Sequence, residues 1–300
     1  MFSFRLKIIF AFAAIYLVWG STYLFVKISL HSFPPFLLST LRFFIGGGAL
    51  MMYAYWVKDQ FPQSKELLKQ ALLGCVIFIG GIMSVVWAQQ YLSSSLTSTI
   101  ITTPFWFVVL DRKQWRYYFS NFHIIVGLIL GLIGVTTLMI FKTHTQTSSN
   151  GYMQLLSILV IISGSFFWVL GSLYLRTNPS STSVYANTTV QLFAAGICCL
   201  LISIFNGEMN HFSLSQTRLD GWLSVTYLAI FSNTLTFLAF VWLIKIKPPA
   251  IVSTYSYVNP MVATLLGWSF GNEHISLVQI LALSLILSGV LFVNLGRNKL

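Results

Sequence analysis

Arg42 stands well inside an apolar stretch, between Leu41 and Phe43, where its charge is hard to bring to water. Two roles fit such a side chain. It pairs with carbonyl groups and packs between helices, or it attracts an anionic group of a substrate, such as a carboxylate. Lys27 lies nearer the end of its own apolar run, close enough to snorkel to water or to face a ligand. Gln89, Thr103, Gln191, Asn233 and Asn259 place neutral donors and acceptors in other apolar runs. Each either bonds a neighbouring helix or meets polar atoms of a bound molecule. Tyr255 and Asn259 share a helical face by i, i+4 spacing, and Tyr16, Gly20, Tyr23 and Lys27 form one stripe. Trp19 and Trp168 fall near the centres of their runs, away from the interfaces where Trp concentrates, and Trp87 falls near a run's end. The candidate binding set is therefore Trp19, Tyr23, Arg42, Trp87, Gln89, Thr103, Trp168, Gln191, Asn233, Tyr255 and Asn259. Pro104 and Pro260 each release a carbonyl and favour a kink, which suits a gate.

Other chemistry is missing. No Asp or Glu lies deep in an apolar run; Asp111 and Glu273 sit at run ends. The histidines, His31, His123, His144, His211 and His274, fall in loops or at ends. No paired carboxylates, HExxH motif or phosphate-binding Gly loop supports an enzyme. A membrane transferase acting on lipid-linked substrates is the alternative reading, and a channel would need a charged ring or filter repeat. Cys75, Cys198 and Cys199 lie in apolar runs without CxxC or Cys/His spacing, and read as packing residues. No metal site, catalytic residue or cofactor is expected. The lack of a buried acid or His favours facilitated diffusion, exchange or coupling through another group.

What positions these residues is a membrane. The chain has 300 residues, 56% apolar, 16% aromatic and 8% charged, against about 25% charged in soluble domains. A soluble surface cannot be built from so few charges, and disorder needs the opposite composition. Ten runs are long enough to span about 30 Å of hydrocarbon as helices, near 8–30, 34–57, 68–90, 93–110, 122–141, 152–175, 183–205, 221–244, 250–270 and 276–295. Lipid leaves backbone groups no partners but their own helix. The first run is too long for a cleaved signal peptide and is expected to remain as a span.

Net charge is +11, yet no basic run exceeds two residues, so nucleic acid is not an expected partner. With the N-terminus inside, thirteen basic residues fall on the inner side. Only Lys142 and Arg218 fall outside, and Lys27 and Arg42 lie within runs. This predicts cytoplasmic termini and an integral protein of a bacterial cytoplasmic (inner) membrane.

The linker Lys142–Gly151 divides the runs five and five. Gly20-Ser21-Thr22-Tyr23 echoes Gly171-Ser172-Leu173-Tyr174, Phe44 and Gly47 echo Phe193 and Gly196, Pro104 echoes Pro260, and Gly134-Val135 echoes Gly289-Val290. Five spans per half invert the second repeat, which predicts units at 1–141 and 152–300. Inverted repeats supply two conformations, each open to one side of a central site, so the architecture itself points to a transporter of small molecules.

The stretch Tyr16-Leu-Val-Trp-Gly-Ser-Thr-Tyr-Leu-Phe-Val-Lys27, followed by Pro34-Pro-Phe-Leu-Leu-Ser-Thr-Leu-Arg-Phe43, resembles the opening of the EamA family of the drug/metabolite transporter superfamily. The segment Pro260–Glu273 and Leu287–Leu291 are similar to the family's second repeat. The resemblance covers both halves. It implies an all-α protein of ten helices in inverted five-helix repeats, a central cavity, and movement of small metabolites or amino acids. Cationic side chains with few acids favour a neutral, zwitterionic or anionic solute over a cation. Oligomeric state is left open.

Overall fold

The computed structural model describes residues 4–101, 103–142, 151–271 and 277–295, which are helical with short connections and contain no strand among them. Thr102, the linker 143–150 with His144, Glu273, His274, Arg297 and Lys299 lie outside the described residues, as do the side chains of Thr103, Val135, Lys142, His211 and Val290.

The described parts of the predicted runs are mostly helical. The first half holds α1 (Phe4–Leu30), α2 (Pro35–Trp56), α3 (Ser64–Ala88), α4 (Ser94–Ile100), α5 (Thr103–Leu110), α6 (Trp115–Ser120) and α7 (Phe122–Lys142). The second holds α8 (Gly151–Thr177), α9 (Val184–Phe205), α10 (Leu219–Ile246), α11 (Pro249–Val252), α12 (Tyr255–Gly271) and α13 (Leu277–Leu295). Six of these, α1, α2, α3, α8, α9 and α10, are each long and apolar enough to cross a bilayer, and a bent pair makes a seventh. The chain is a polytopic membrane protein.

Local sequence explains the starts and breaks. Pro35 opens α2 at a position whose N–H needs no partner. Ser183 caps α9 by accepting from Ala186 N–H at 3.1 Å. The fourth predicted run is broken: α4 ends before an extended Ile101, and Pro104 stands in the first turn of α5. Pro104 therefore follows the break, while Pro260 sits inside α12.

Two helices carry wide π turns in their middles, Cys75–Met83 in α3 and Leu228–Thr236 in α10. Both are nine residues long, and their bounds differ by 153 in numbering at each end. π turns are rare and gather at functional sites. Close approach elsewhere depends on glycine. On α7, a Cβ at Gly127 would stand 2.6 Å from the Gly289 carbonyl oxygen of α13, and a Cβ at Gly289 would stand 2.6 Å from the Gly127 carbonyl oxygen. Gly127 and Gly131 form the small-xxx-small spacing that lets backbones touch in lipid. The core between helices is aromatic and aliphatic, centred on Trp19, Phe43, Phe78, Trp168, Phe237 and Phe240. Large apolar side chains such as Leu17, Met52 and Phe205 cover the outside, as a hydrocarbon solvent requires.

Each of the paired helices α2 and α9 has its N-terminus met by a carboxylate that follows the other. Glu208, just after α9, accepts from Phe36 N–H at 3.2 Å, Leu37 N–H at 2.9 Å and Ser203 Oγ at 2.8 Å. Asp59, just after α2, accepts from Ser183 Oγ at the start of α9. Unpaired N–H groups and the helix dipole favour an anion at both places.

Candidate functional site

Helices α1, α2, α3, α8, α10 and α12 border a cavity of about 100 Å³, room for several waters or one small solute. Helix α1 contributes Trp19, Thr22, Tyr23 and Val26; α2 contributes Arg42. The π turn of α3 and the turns after it contribute Gly81, Ile82, Val85, Val86 and Gln89. Gly164, Ser165 and Trp168 come from α8, Ser232 from the π turn of α10, and Tyr255 and Asn259 from α12.

Aromatic rings pack together along one part of the wall. Trp19 packs edge-on to Trp168 at 5.4 Å and to Tyr255 at 4.8 Å, with Phe240 at 5.2 Å from both indoles. Beyond this layer Tyr16 Oη bonds Thr254 Oγ1 at 2.7 Å. Farther along, Asp111 Oδ2 accepts from Arg176 Nη1 at 3.0 Å and from Tyr118 Oη at 3.1 Å, while Ala250 N–H reaches the Tyr118 hydroxyl. This cluster joins the end of α5, the short α6, the last turn of α8 and the start of α11. Asp111 is nearly enclosed, and burial pushes its carboxyl above the ordinary value against the pull of Arg176 and Tyr118.

The polar part of the wall is incompletely paired. Arg42 is 2% exposed. Its Nη2 donates to Asn233 Oδ1 at 2.8 Å, and its Nε has no partner among the described residues. No ion pair among the described residues involves it. Gln89 Nε2 donates to the Tyr23 carbonyl at 3.1 Å, leaving Gln89 Oε1 unpaired. Asn259 Nδ2 reaches Tyr23 Oη at 3.5 Å, leaving Asn259 Oδ1 unpaired. Trp168 Nε1 is a further donor without a partner among the described residues. Buried polar atoms are normally paired, so four unpaired groups on residues of one cavity wall set this wall apart. Donors are supplied by Arg42 and Trp168, acceptors by Gln89 and Asn259.

Seven of the eleven predicted binding residues line this cavity: Trp19, Tyr23, Arg42, Gln89, Trp168, Tyr255 and Asn259. Asn233 stands behind it and holds Arg42. Trp87 instead packs at a tilt against Tyr91, with ring centroids 5.3 Å apart. Gln191 lies apart in a smaller polar pocket, where its Nε2 donates to Gln70 Oε1 at 2.6 Å. Lys27 donates to the Gln89 carbonyl at 3.1 Å, a cation on the last carbonyls of α3. Thr22, Ser165 and Ser232 were not singled out by sequence, although Ser21-Thr22 and Gly164-Ser165 carry a signal of small polar residues beside glycine. Gly164 has a physical reason: a Cβ there would meet Ser84 Oγ at 2.0 Å and the Gly80 carbonyl oxygen at 2.8 Å. All three cysteines are free; Cys199 is buried and the Cys75 and Cys198 sulfurs lie 3.6 Å apart. Among the described residues no group of His, Cys, Asp and Glu could hold a metal.

The model of the EamA-like transporter family matches the chain twice, over residues 6–140 and 155–295. The chain belongs to the EamA-like transporter family. It is 30% identical over 288 residues to "Uncharacterized inner membrane transporter YedA" of Escherichia coli (strain K12), covering 96% of this chain and 90% of that protein. It is 23% identical over 290 residues to "Uncharacterized transporter YoaV" of Bacillus subtilis (strain 168), covering 96% of each. A protein of known crystal structure, 19% identical, superposes with a TM-score of 0.74 over 96% of this chain and 98% of its own, a likeness of fold.

Proposed function

We propose that this protein carries a small amphipathic metabolite, with amino acids foremost, by alternating access through the cavity beside Arg42. One observation carries the reading. A buried guanidinium with no acidic partner among the described residues belongs to the cavity wall and has an unpaired N–H, and the same wall holds Gln89 and Asn259, each with an unpaired oxygen. A carboxylate would complement the first and an ammonium group the second. The Trp19, Trp168 and Tyr255 rings would take an apolar side chain.

We further propose ten spans in two inverted five-helix units, 1–141 and 152–300, with both termini cytoplasmic in an inner membrane. The double match of the family model supports this division. So do the paired π turns of α3 and α10, and the reciprocal carboxylates Asp59 and Glu208. In this orientation the aromatic layer and the Asp111 cluster close the cytoplasmic end. Pro104 and Pro260, in corresponding helices, serve as hinges of the exchange.

The test is a thermal-shift screen of purified protein against metabolites, followed by uptake into proteoliposomes. Stabilising solutes should show saturable uptake stimulated by solute on the other side. Uptake that never saturates would describe a pore and overturn the reading.

A further inference from the structure

Between α5 and α7 the chain makes a right-angled excursion. Residues Arg112–Ser120 run at 95° to the following Phe122–Gly134 segment. If α7 crosses the bilayer, this strip lies along its surface. Its outer face is basic and aromatic. Arg112, Lys113 and Arg116 are exposed, and none forms an ion pair among the described residues. Trp115 and Phe119 are also exposed, at 41% and 62%. The Arg112 guanidinium sits 5.8 Å from the Trp115 ring, and Trp115 Nε1 donates to the Val108 carbonyl at 2.8 Å, which fixes the indole beside the cations. The inner face is anchored, since Tyr118 is buried and bonded to Asp111. Asp111 is bonded to Arg176 and Tyr118 and also attracts Lys113, with which it forms no ion pair.

We propose that the Arg112–Ser120 strip is a docking site for anionic phospholipid headgroups. Cations take the phosphate, and the Trp115 and Phe119 rings enter the headgroup–acyl boundary, which is the division of labour expected of an interfacial basic-aromatic segment. Charge complementarity selects the lipid, because a zwitterionic headgroup presents its own cation to the same three side chains. The site is independent of which solute the cavity carries. It also lies on the segment whose Tyr118 joins the closure at Asp111.

The experiment is native mass spectrometry of the detergent-purified full chain, titrated with phosphatidylglycerol, phosphatidylcholine or inorganic phosphate. Retained phosphatidylglycerol adducts should exceed phosphatidylcholine adducts. The triple variant Arg112→Gln, Lys113→Gln, Arg116→Gln should lose about tenfold of that preference. The charge-keeping pair Arg112→Lys, Arg116→Lys should retain it, and so should Lys58→Gln with Lys65→Gln, two exposed cations elsewhere. Equal adducts for both lipids, equal loss in the Lys58/Lys65 variant, or equal retention of inorganic phosphate would each overturn the proposal. A triple variant that aggregates leaves the lipid preference of the wild-type chain and of the charge-keeping pair to decide it.

Discussion

Arg42 and Asn233 meet at 2.8 Å, Nη2 to Oδ1, although they lie in different halves of the chain. The bond fixes one edge of the guanidinium, while Nε has no partner among the described residues. Asn233 owes its place to the π turn of α10. A buried charge held by one neutral amide is a poor stabilising device, because burying it costs several kcal/mol that a single bond does not repay. Under the proposed function a bound carboxylate supplies the anion.

Replacing Arg42 separates ligand binding from folding. Arg42→Gln keeps an amide facing Asn233 and removes the charge. Affinity for a carboxylate-bearing solute should fall about ten- to a hundredfold, as expected for a charge-assisted bond. The melting temperature of the free protein should stay level or rise. Asn233→Leu should do the reverse to stability, costing about 2–3 kcal/mol by stranding the guanidinium. Ligand-dependent thermal shifts of the two variants check both outcomes.

A second prediction concerns α7 and α13, which touch through glycine. Gly127→Ala places a methyl 2.6 Å from the Gly289 carbonyl oxygen, so the helices must separate, at a cost of about 1–3 kcal/mol. Gly48→Ala, on α2, meets nothing within 4 Å and should be neutral or slightly stabilising. Thermal melts in detergent that rank the two variants the other way would contradict this packing.

The helices were legible in the sequence because lipid admits few backbone solutions, and apolar length is printed in the residues. Much of the cavity was legible for a related reason: Arg42, Gln89 and Asn259 are costly in hydrocarbon and must face something polar. Gln191 was costly too, but it satisfies one end on Gln70 in a separate pocket, and polarity alone does not say which space a side chain faces. The π turns were not legible. Cys75–Met83 is uniformly apolar apart from its glycines and reads like any α-helical run. Likewise Pro104 announces a disturbance but not that the break precedes it. Asp59 and Glu208 each serve a helix far away in sequence, which local pattern does not reveal.

These two carboxylates give a third prediction. Glu208→Ala removes the acceptor of two backbone N–H groups at the start of α2 and should cost about 1–2 kcal/mol. Glu208→Gln should recover part of this loss, since an amide oxygen still accepts. Melting temperatures of the pair test the cap. Equal loss in both variants would assign the effect to charge alone.

The last prediction is the pH response of the closure proposed at Asp111. Burial raises this carboxyl above its ordinary value, so the closed form binds a proton more tightly than a form with Asp111 in water. The groups facing it are Arg176 on α8, Tyr118 on α6 and Lys113 beside it, and their pull is outweighed by burial. Acidification therefore favours the closed end, although it weakens the ion pair with Arg176. The favourable contribution is lost as pH rises through the raised value, and the response is confined between that value and the ordinary one of about 4. Asp111→Asn should remove the response, because the amide does not titrate. A cysteine introduced at Ser253, buried on the closed side, reports the change through its labelling by a thiol reagent whose own pH dependence is calibrated on free cysteine. Corrected labelling should slow as pH falls in the parent and stay flat in Asp111→Asn. Faster labelling on acidification would mean that the Arg176 bond, and not burial, governs the closure.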